Sequence, residues 1–287
     1  VNNARLGWSD IDESAVYAYG YTGFSPTPSD DAGTLSRIFF QHQTETRNAL
    51  NDLRFENTLN MGGAEHRLMF GVDAKWFDMD QVQASSIATG LTVVDPVYGA
   101  EQPATVPYAD NVVRQTQLGL YAQDQIRWGD GWIATLNLRH DEVTTRVGTD
   151  RTSGAEGSRR EDGETTGRIG LAKEFGNGLT AYASASTYFN PQVVTSAAGN
   201  SISPETGKQA EVGLKWAPAE GTLVTLSAFD MQRENISQSV WGPAGYEYYQ
   251  IGKVGSKGLE LEAQHNFGNG VTLSASATSM DIEIEED

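Results

Sequence analysis

The reading of the fold is decided by Gln117 to Arg139, QLGLYAQDQIRWGDGWIATLNLR. Leu118, Leu120, Ala122, Ile126 and Trp128 recur at every second residue, with Gln117, Tyr121, Gln123, Gln125 and Arg127 between them. A period of two places one set on each side of an extended strand, one side apolar and the other polar. After Gly129-Asp130-Gly131 the alternation resumes through Trp132, Ala134, Leu136 and Leu138, with Thr135, Asn137 and Arg139 opposite. Two such strands about a Gly-rich turn predict a β-hairpin. Trp128 and Trp132 flank that turn, as in the aromatic girdle where a strand leaves a membrane's apolar band. The polar side carries Gln, Arg, Asn and Thr, which suit a water-filled lumen.

Outward from this hairpin the pattern repeats. Tight turns are expected near residues 62, 130, 177, 219 and 269, with Phe175, Trp216 and Phe267 beside the later ones. Leu68, Phe70, Val72, Ala74 and Trp76 share one parity, as do Val212, Leu214 and Trp216, and then Leu259, Leu261 and Ala263. Thr34–Asn60 has no Gly or Pro and no 3.6-residue stripe, and is expected to be one long strand. Longer connections are expected at 24–33, 80–111, 148–163 and 190–208, with an aromatic-rich one at 237–249. A further turn is expected at Ser9-Asp10-Ile11-Asp12. Short turns on one side and long loops on the other, with about eleven strands, describe an antiparallel transmembrane β-barrel. A soluble propeller is the competing all-β arrangement, but its blades hold four short strands with short connections.

Composition bounds the remaining possibilities. The chain has 287 residues, 38% of them hydrophobic, and no run approaches the ~18 apolar residues of a spanning helix. It has no cysteine, which removes disulfides, thiolate metal sites and cysteine nucleophiles. A formal charge of -18 argues against nucleic acid and suits cations or a lipopolysaccharide layer bridged by divalent ions. His42, His66, His140 and His265 stand singly, so no protein-bound metal is expected. Gly176-Asn177-Gly178 and Gly268-Asn269-Gly270 read as hairpin turns, since neither continues into a dinucleotide fingerprint. No nucleophile elbow appears, and no catalytic residues are expected. Asp124 falls on the apolar parity, where Arg139 on the next strand is a candidate partner and a place above the membrane belt the alternative.

Several segments resemble TonB-dependent outer-membrane siderophore receptors of the ferrichrome type. They are Gly119–Asp141 (GLYAQDQIRWGDGWIATLNLRHD), Glu65–Trp76 (EHRLMFGVDAKW), Ser203–Trp216 with Leu226–Ile236, and Ile251–Gln264 (IGKVGSKGLELEAQ), in the family's order. Lys257 stands where that family often has arginine, and Ala210 where it often has an aromatic. The resemblance implies a 22-stranded barrel with an N-terminal plug. Residues 1–287 would be a partial barrel without the plug or the final strands, its open edges barring insertion alone. It further implies a Gram-negative outer-membrane location, a ferric siderophore as ligand and the TonB complex as partner through the plug. Lipid and lipopolysaccharide would surround the wall, and no cofactor would be needed beyond the iron–siderophore cargo. Tyr98, Tyr108, Trp241, Tyr246, Tyr248 and Tyr249 are the candidate ligand-binding residues, since amphipathic aromatics give contact area at low entropic cost. A porin, a cobalamin or heme receptor, and a soluble β-rich adhesion module are the alternatives.

Overall fold

A computed structural model describes residues 1–193, 202–242 and 245–286, except for the side chains of 241 and 242 and of 245–247. Its strands are β1 (Asn2–Tyr21), β2 (Thr34–Met61), β3 (Ala64–Ile87), β4 (Leu91–Thr92), β5 (Val106–Trp128) and β6 (Trp132–Val147). They continue as β7 (Ser158–Glu174), β8 (Leu179–Asn190), β9 (Glu205–Trp216), β10 (Thr222–Gly242), β11 (Gly245–Asn266) and β12 (Thr272–Glu286). Eleven of them pair antiparallel with their chain neighbours in one sheet, and the two-residue β4 pairs only with β2. Among the described residues β1 and β12 are the sheet's edges.

The five tight turns fall where the glycines place them. At the first, Gly62 and Gly63 take φ of 61° and 79°, which a primed hairpin turn requires and a side chain would oppose. Trp128 and Trp132 are opposite each other across the next turn. Their rings stack with centroids 6.2 Å apart, and the Lys173 ammonium lies 5.5 Å from the Trp132 ring.

Strand register sorts the side chains into two faces. On one, Leu118, Leu120, Leu138 and Ile169 remain 50%, 57%, 60% and 59% exposed. No second layer covers them, so the propeller arrangement is excluded. On the other face Asp73, Val113, Asp141, Val143 and Thr145 are buried although no other layer packs there either. Crowding on one face and openness on the other is the signature of a curled sheet, with polar residues inside and apolar residues outside. The outer apolar residues form a belt along the short-turn side of β2, β3 and β5 to β12. A belt ~25 Å tall spans a bilayer.

Several expected boundaries are wrong in one direction. β1 runs unbroken through Ser9–Asp12, where a turn was expected. β3 extends to Ile87 and β5 begins at Val106, which shortens the 80–111 loop to 88–105. β7 starts at Ser158, so the hydrophilic loop is 148–157, and β9 starts at Glu205. Residues 237–249 are the far ends of β10 and β11 rather than a long loop. In each case the strands continue beyond the belt, where both faces meet water and alternation ceases to be apolar against polar.

Asp124 is the other correction. Its carboxylate lies 2.8 Å from Nδ1 of His66 on the outer face of β3, while Arg139 is on the inner face, opposite Tyr121. It sits inside the belt between Ala122 and Ile126, near the short turns, and not above it. A polar pair there satisfies part of what an isolated carboxylate would lose to hydrocarbon.

Candidate functional site

The inner face above the belt is where the candidate aromatics meet other groups. Tyr108 occupies a register shift on β5, since Ala109 pairs with Gln83 but Pro107 with Ala84. Such an extra residue bends a strand and re-aims its side chain. The Tyr108 hydroxyl lies 2.8 Å from Nε2 of His42 on β2. His42 is in turn 5.7 Å, ring to ring, from Phe40, and Phe40 is 5.9 Å from Tyr17 on β1. The Tyr17 hydroxyl donates to Glu13 at 3.3 Å. Tyr17, Phe40, His42 and Tyr108 are therefore one aromatic patch contributed by β1, β2 and β5, with His42 and Tyr108 meeting across β3. Only Tyr108 was expected in it. The others carried a readable parity, but their strands' register, which joins them, could not be read.

The remaining candidates lie apart from that patch. Tyr98 is in the 93–105 loop and 76% exposed. Tyr248 and Tyr249 are on β11, six strands from β5 in the sheet order. By alternation Tyr248 shares the inner face with Gln250, and Tyr249 the outer face with Leu259. Trp241 and Tyr246 pair in backbone register, but their side chains lie outside the described residues.

Further down, the inner face repeats one device, a tyrosine laid across a glycine to reach an acid on another strand. Tyr121 crosses Gly71 and donates to Asp52 at 2.5 Å. Tyr182 crosses Gly213 to Glu211, and Tyr188 crosses Gly207 to Glu205, each at 2.5 Å. A Cβ on any of these glycines would occupy the ring's position. Gly119 serves Arg139 in the same way. Across it the guanidinium donates to Asp73 at 2.5 Å and to both oxygens of Asp141 at 2.5 and 2.6 Å. Gln117 adds a bond to Asp141 at 2.6 Å. Bidentate pairing of this kind fixes geometry as well as charge.

Nearer the rim, Arg160 donates to both oxygens of Asp162 at 2.7 and 2.9 Å, and Arg233 donates to Glu205 at 2.8 Å. The 148–157 loop folds back on the strand ends. Asp150 accepts from the amides of Asp110, Thr152 and Ser153 at 2.9, 3.0 and 2.7 Å. Burial pushes the Asp150 carboxyl up, but these amide bonds outweigh it and hold it below the usual carboxylate range. Arg151 reaches Asp80 and Asp110, each at 2.5 Å. Among the described residues no group of three or more His, Asp or Glu is placed to hold a metal ion.

A curled antiparallel sheet with an outer apolar belt, inner polar networks and strands projecting past the belt is a wall segment of an outer-membrane transmembrane β-barrel. Residues 2–285 match the family described as TonB dependent receptor-like, beta-barrel, and the chain belongs to that family. It is 29% identical over 236 residues to the ferrioxamine B receptor of Salmonella typhimurium, covering 82% of this chain and 33% of that one. With the ferrichrome outer membrane transporter/phage receptor of Escherichia coli K12 it shares 27% identity over 311 residues, 99% of this chain and 40% of the relative. The open form of the ferric-catecholate import receptor Fiu from E. coli K12 superposes with a TM-score of 0.76 at 14% identity, over 99% of this chain and 43% of Fiu. The ferripyoverdine receptor of Pseudomonas aeruginosa gives 0.74 at 18%, over 99% and 38%. The chain thus spans about a third to two-fifths of the relatives it matches.

Proposed function

We propose that the protein containing this chain takes up a ferric siderophore across the outer membrane, energised by the TonB complex through a plug domain. The observation that carries this reading is the match over nearly the whole chain to receptors named for ferrioxamine and ferrichrome. In it, residues 1–287 are part of the barrel wall. The wall makes and breaks no covalent bond, and iron arrives already held by its chelator. Tyr108 with its His42 partner, Tyr98 in the neighbouring loop and Tyr248 across the mouth are the groups that would touch the chelate. The outer belt would contact lipid, and the strand ends above it lipopolysaccharide.

The test is growth. The complete gene, placed in an iron-starved Gram-negative host stripped of its own receptors, is expected to restore growth on at least one ferric siderophore, and only while TonB is present. Growth rescue on heme or cobalamin with none on any ferric chelate would overturn the proposal. Tyr108→Ala is expected to weaken chelate binding several-fold, in line with an aromatic contact worth about 1 kcal/mol, while leaving surface expression unchanged.

A further inference from the structure

Register brings groups with metal-ligand chemistry to one spot on the inner face. Glu13 on β1 is directly opposite His42 on β2, and Tyr17 is four residues further along β1, on the same side as Glu13. The Tyr17 hydroxyl is 3.3 Å from one Glu13 oxygen, and Nδ1 of His42 is 4.0 Å from the other. The second separation is too long for a hydrogen bond. Both match what one ion imposes on its ligands: donors about 2.0–2.2 Å from a metal stand about 3 Å apart when adjacent and about 4 Å apart when opposite. The third donor here is a phenol, so the cluster is distinct from a group of three His, Asp or Glu, which the described residues lack.

The surroundings fit ligation. A histidine that ligates through Nδ1 carries its proton on Nε2, and the Tyr108 hydroxyl stands 2.8 Å from Nε2 to accept it. Nδ1 then turns its lone pair toward Glu13. Glu13 has no arginine or lysine partner among the described residues, so its charge is open to a cation. Its side chain is 47% exposed and that of His42 27%, so an ion in the lumen reaches both. The donor set is nitrogen and oxygen without sulfur, and its carboxylate and phenolate oxygens are anionic when they coordinate. A small cation of high charge gains most from such oxygens, and ferric iron is that ion.

We infer that Glu13, Tyr17 and His42 ligate ferric iron directly, completing the shell of an ion whose chelator leaves positions open. On binding, Tyr17 gives its phenol proton to water, an iron–phenolate bond forms, and the waters held at the open positions leave, with the iron ferric throughout. The ion is cargo in transit. This rests on the siderophore reading above and adds to it a direct contact between wall and metal.

The complete receptor, purified in detergent, is titrated with ferric nitrilotriacetate, a labile chelate that leaves coordination positions open. A visible charge-transfer band from phenolate to iron is expected. Tyr17→Phe removes one oxygen while leaving its ring on Phe40, and is expected to abolish the band and weaken iron binding about tenfold or more. Glu13→Gln is expected to weaken binding by a similar factor. Tyr108→Phe leaves all three ligands in place and is expected to keep the band at about tenfold lower affinity. No band, or a band and affinity unchanged in Tyr17→Phe, overturns the inference. Siderophore uptake is judged separately, by growth on a chelate that fills all six positions. Rescue there without the band sinks direct ligation alone, whereas the band without rescue on any ferric chelate sinks siderophore uptake and leaves the iron site standing.

Discussion

On the outer side of β3, the residues from Leu68 to Trp76 are apolar, whereas Asp78 and Asp80, next on the same face, are charged and paired to Arg114 and Arg151. The same division crosses β5, apolar at Leu118 and Leu120 and charged at Arg114 and Asp110. One strand thus passes through two solvents. In the lower half the outer face meets hydrocarbon, and polar groups turn inward to satisfy one another. In the upper half water is available on both sides, and the ion pairs lie on either face at much lower energetic stake. The difference teaches where this wall is held together: stability resides in the belt and its inner networks, while the upper half is free to be shaped for ligand.

The largest test of that division is Arg139. Its removal strands Asp73 and Asp141, which are 7% and 3% exposed, and breaking a buried pair of this kind costs about 3–5 kcal/mol. Arg139→Ala in the complete receptor is expected to lower the urea midpoint for unfolding from detergent or vesicles by a matching amount. Gly119→Val, which forces the guanidinium aside without deleting it, is expected to fall in the same direction. If Arg139→Ala unfolds at the unaltered receptor's midpoint, the inner networks are not what holds the lower half.

The next contrast is between two outer positions. Leu120→Lys puts a charge in the middle of the belt, at about 2–4 kcal/mol. Gln43→Lys is on the outer parity of β2 but above the belt, and it is expected to change stability by less than about 0.5 kcal/mol. Equal effects at the two positions would mean that the upper half is also in hydrocarbon.

How much of this was legible follows from the same division. Alternation at Leu118–Trp128, at Trp132–Leu138 and at Leu259–Ala263 marked the belt strands because one face must be apolar there. It marked the turns as well, since Gly62-Gly63 and Gly129-Asp130-Gly131 supply the backbone the hairpins need. It misjudged Asp80–Ile87, Val106–Asn111 and Ser158–Gly163 as loop, because a strand wetted on both faces carries no apolar signature and is held only by its ladder. The aromatic patch was one-quarter visible. Tyr108 stood out in an aromatic-poor segment, but Tyr17 on β1 and Phe40 and His42 on β2 lie far from it in the chain, and register alone brings them to it. The glycines under Tyr121, Tyr182 and Tyr188 were hidden for the same reason, and so was the pairing of Asp124 with His66.

Arg151 tests the upper half directly. It makes two ion pairs at 2.5 Å, the same length as those of Arg139, yet its side chain is 46% exposed against 25% for Arg139. Solvent-exposed pairs contribute about 0–1 kcal/mol. Arg151→Ala is therefore expected to leave the unfolding midpoint within that range and to loosen only the 148–157 loop. A loss comparable to that of Arg139→Ala would make geometry, and not burial, the determinant.

The smallest effect is the one that isolates the loop. Asp150 holds the 148–157 segment to β5 by accepting amides, and its carboxyl is held below the usual carboxylate range. A depressed acid contributes stability that is fully present above its unfolded-state pKa and is lost as pH falls through the folded one. Protonation removes an acceptor from three backbone amides at once, so the amides of Asp110, Thr152 and Ser153 are expected to lose hydrogen-exchange protection on acidification below the usual carboxylate range, after correction for the intrinsic exchange rate. Asp150→Asn keeps an oxygen acceptor without the charge and is expected to flatten most of that pH dependence. Amides within the belt, such as those of Leu120 and Leu138, serve as the internal reference, because their protection comes from the strand ladder and not from a carboxylate. Loss of protection at both places together would show that acid opens the wall as a whole, and the two halves would then not be separable in the way the Asp78 boundary implies.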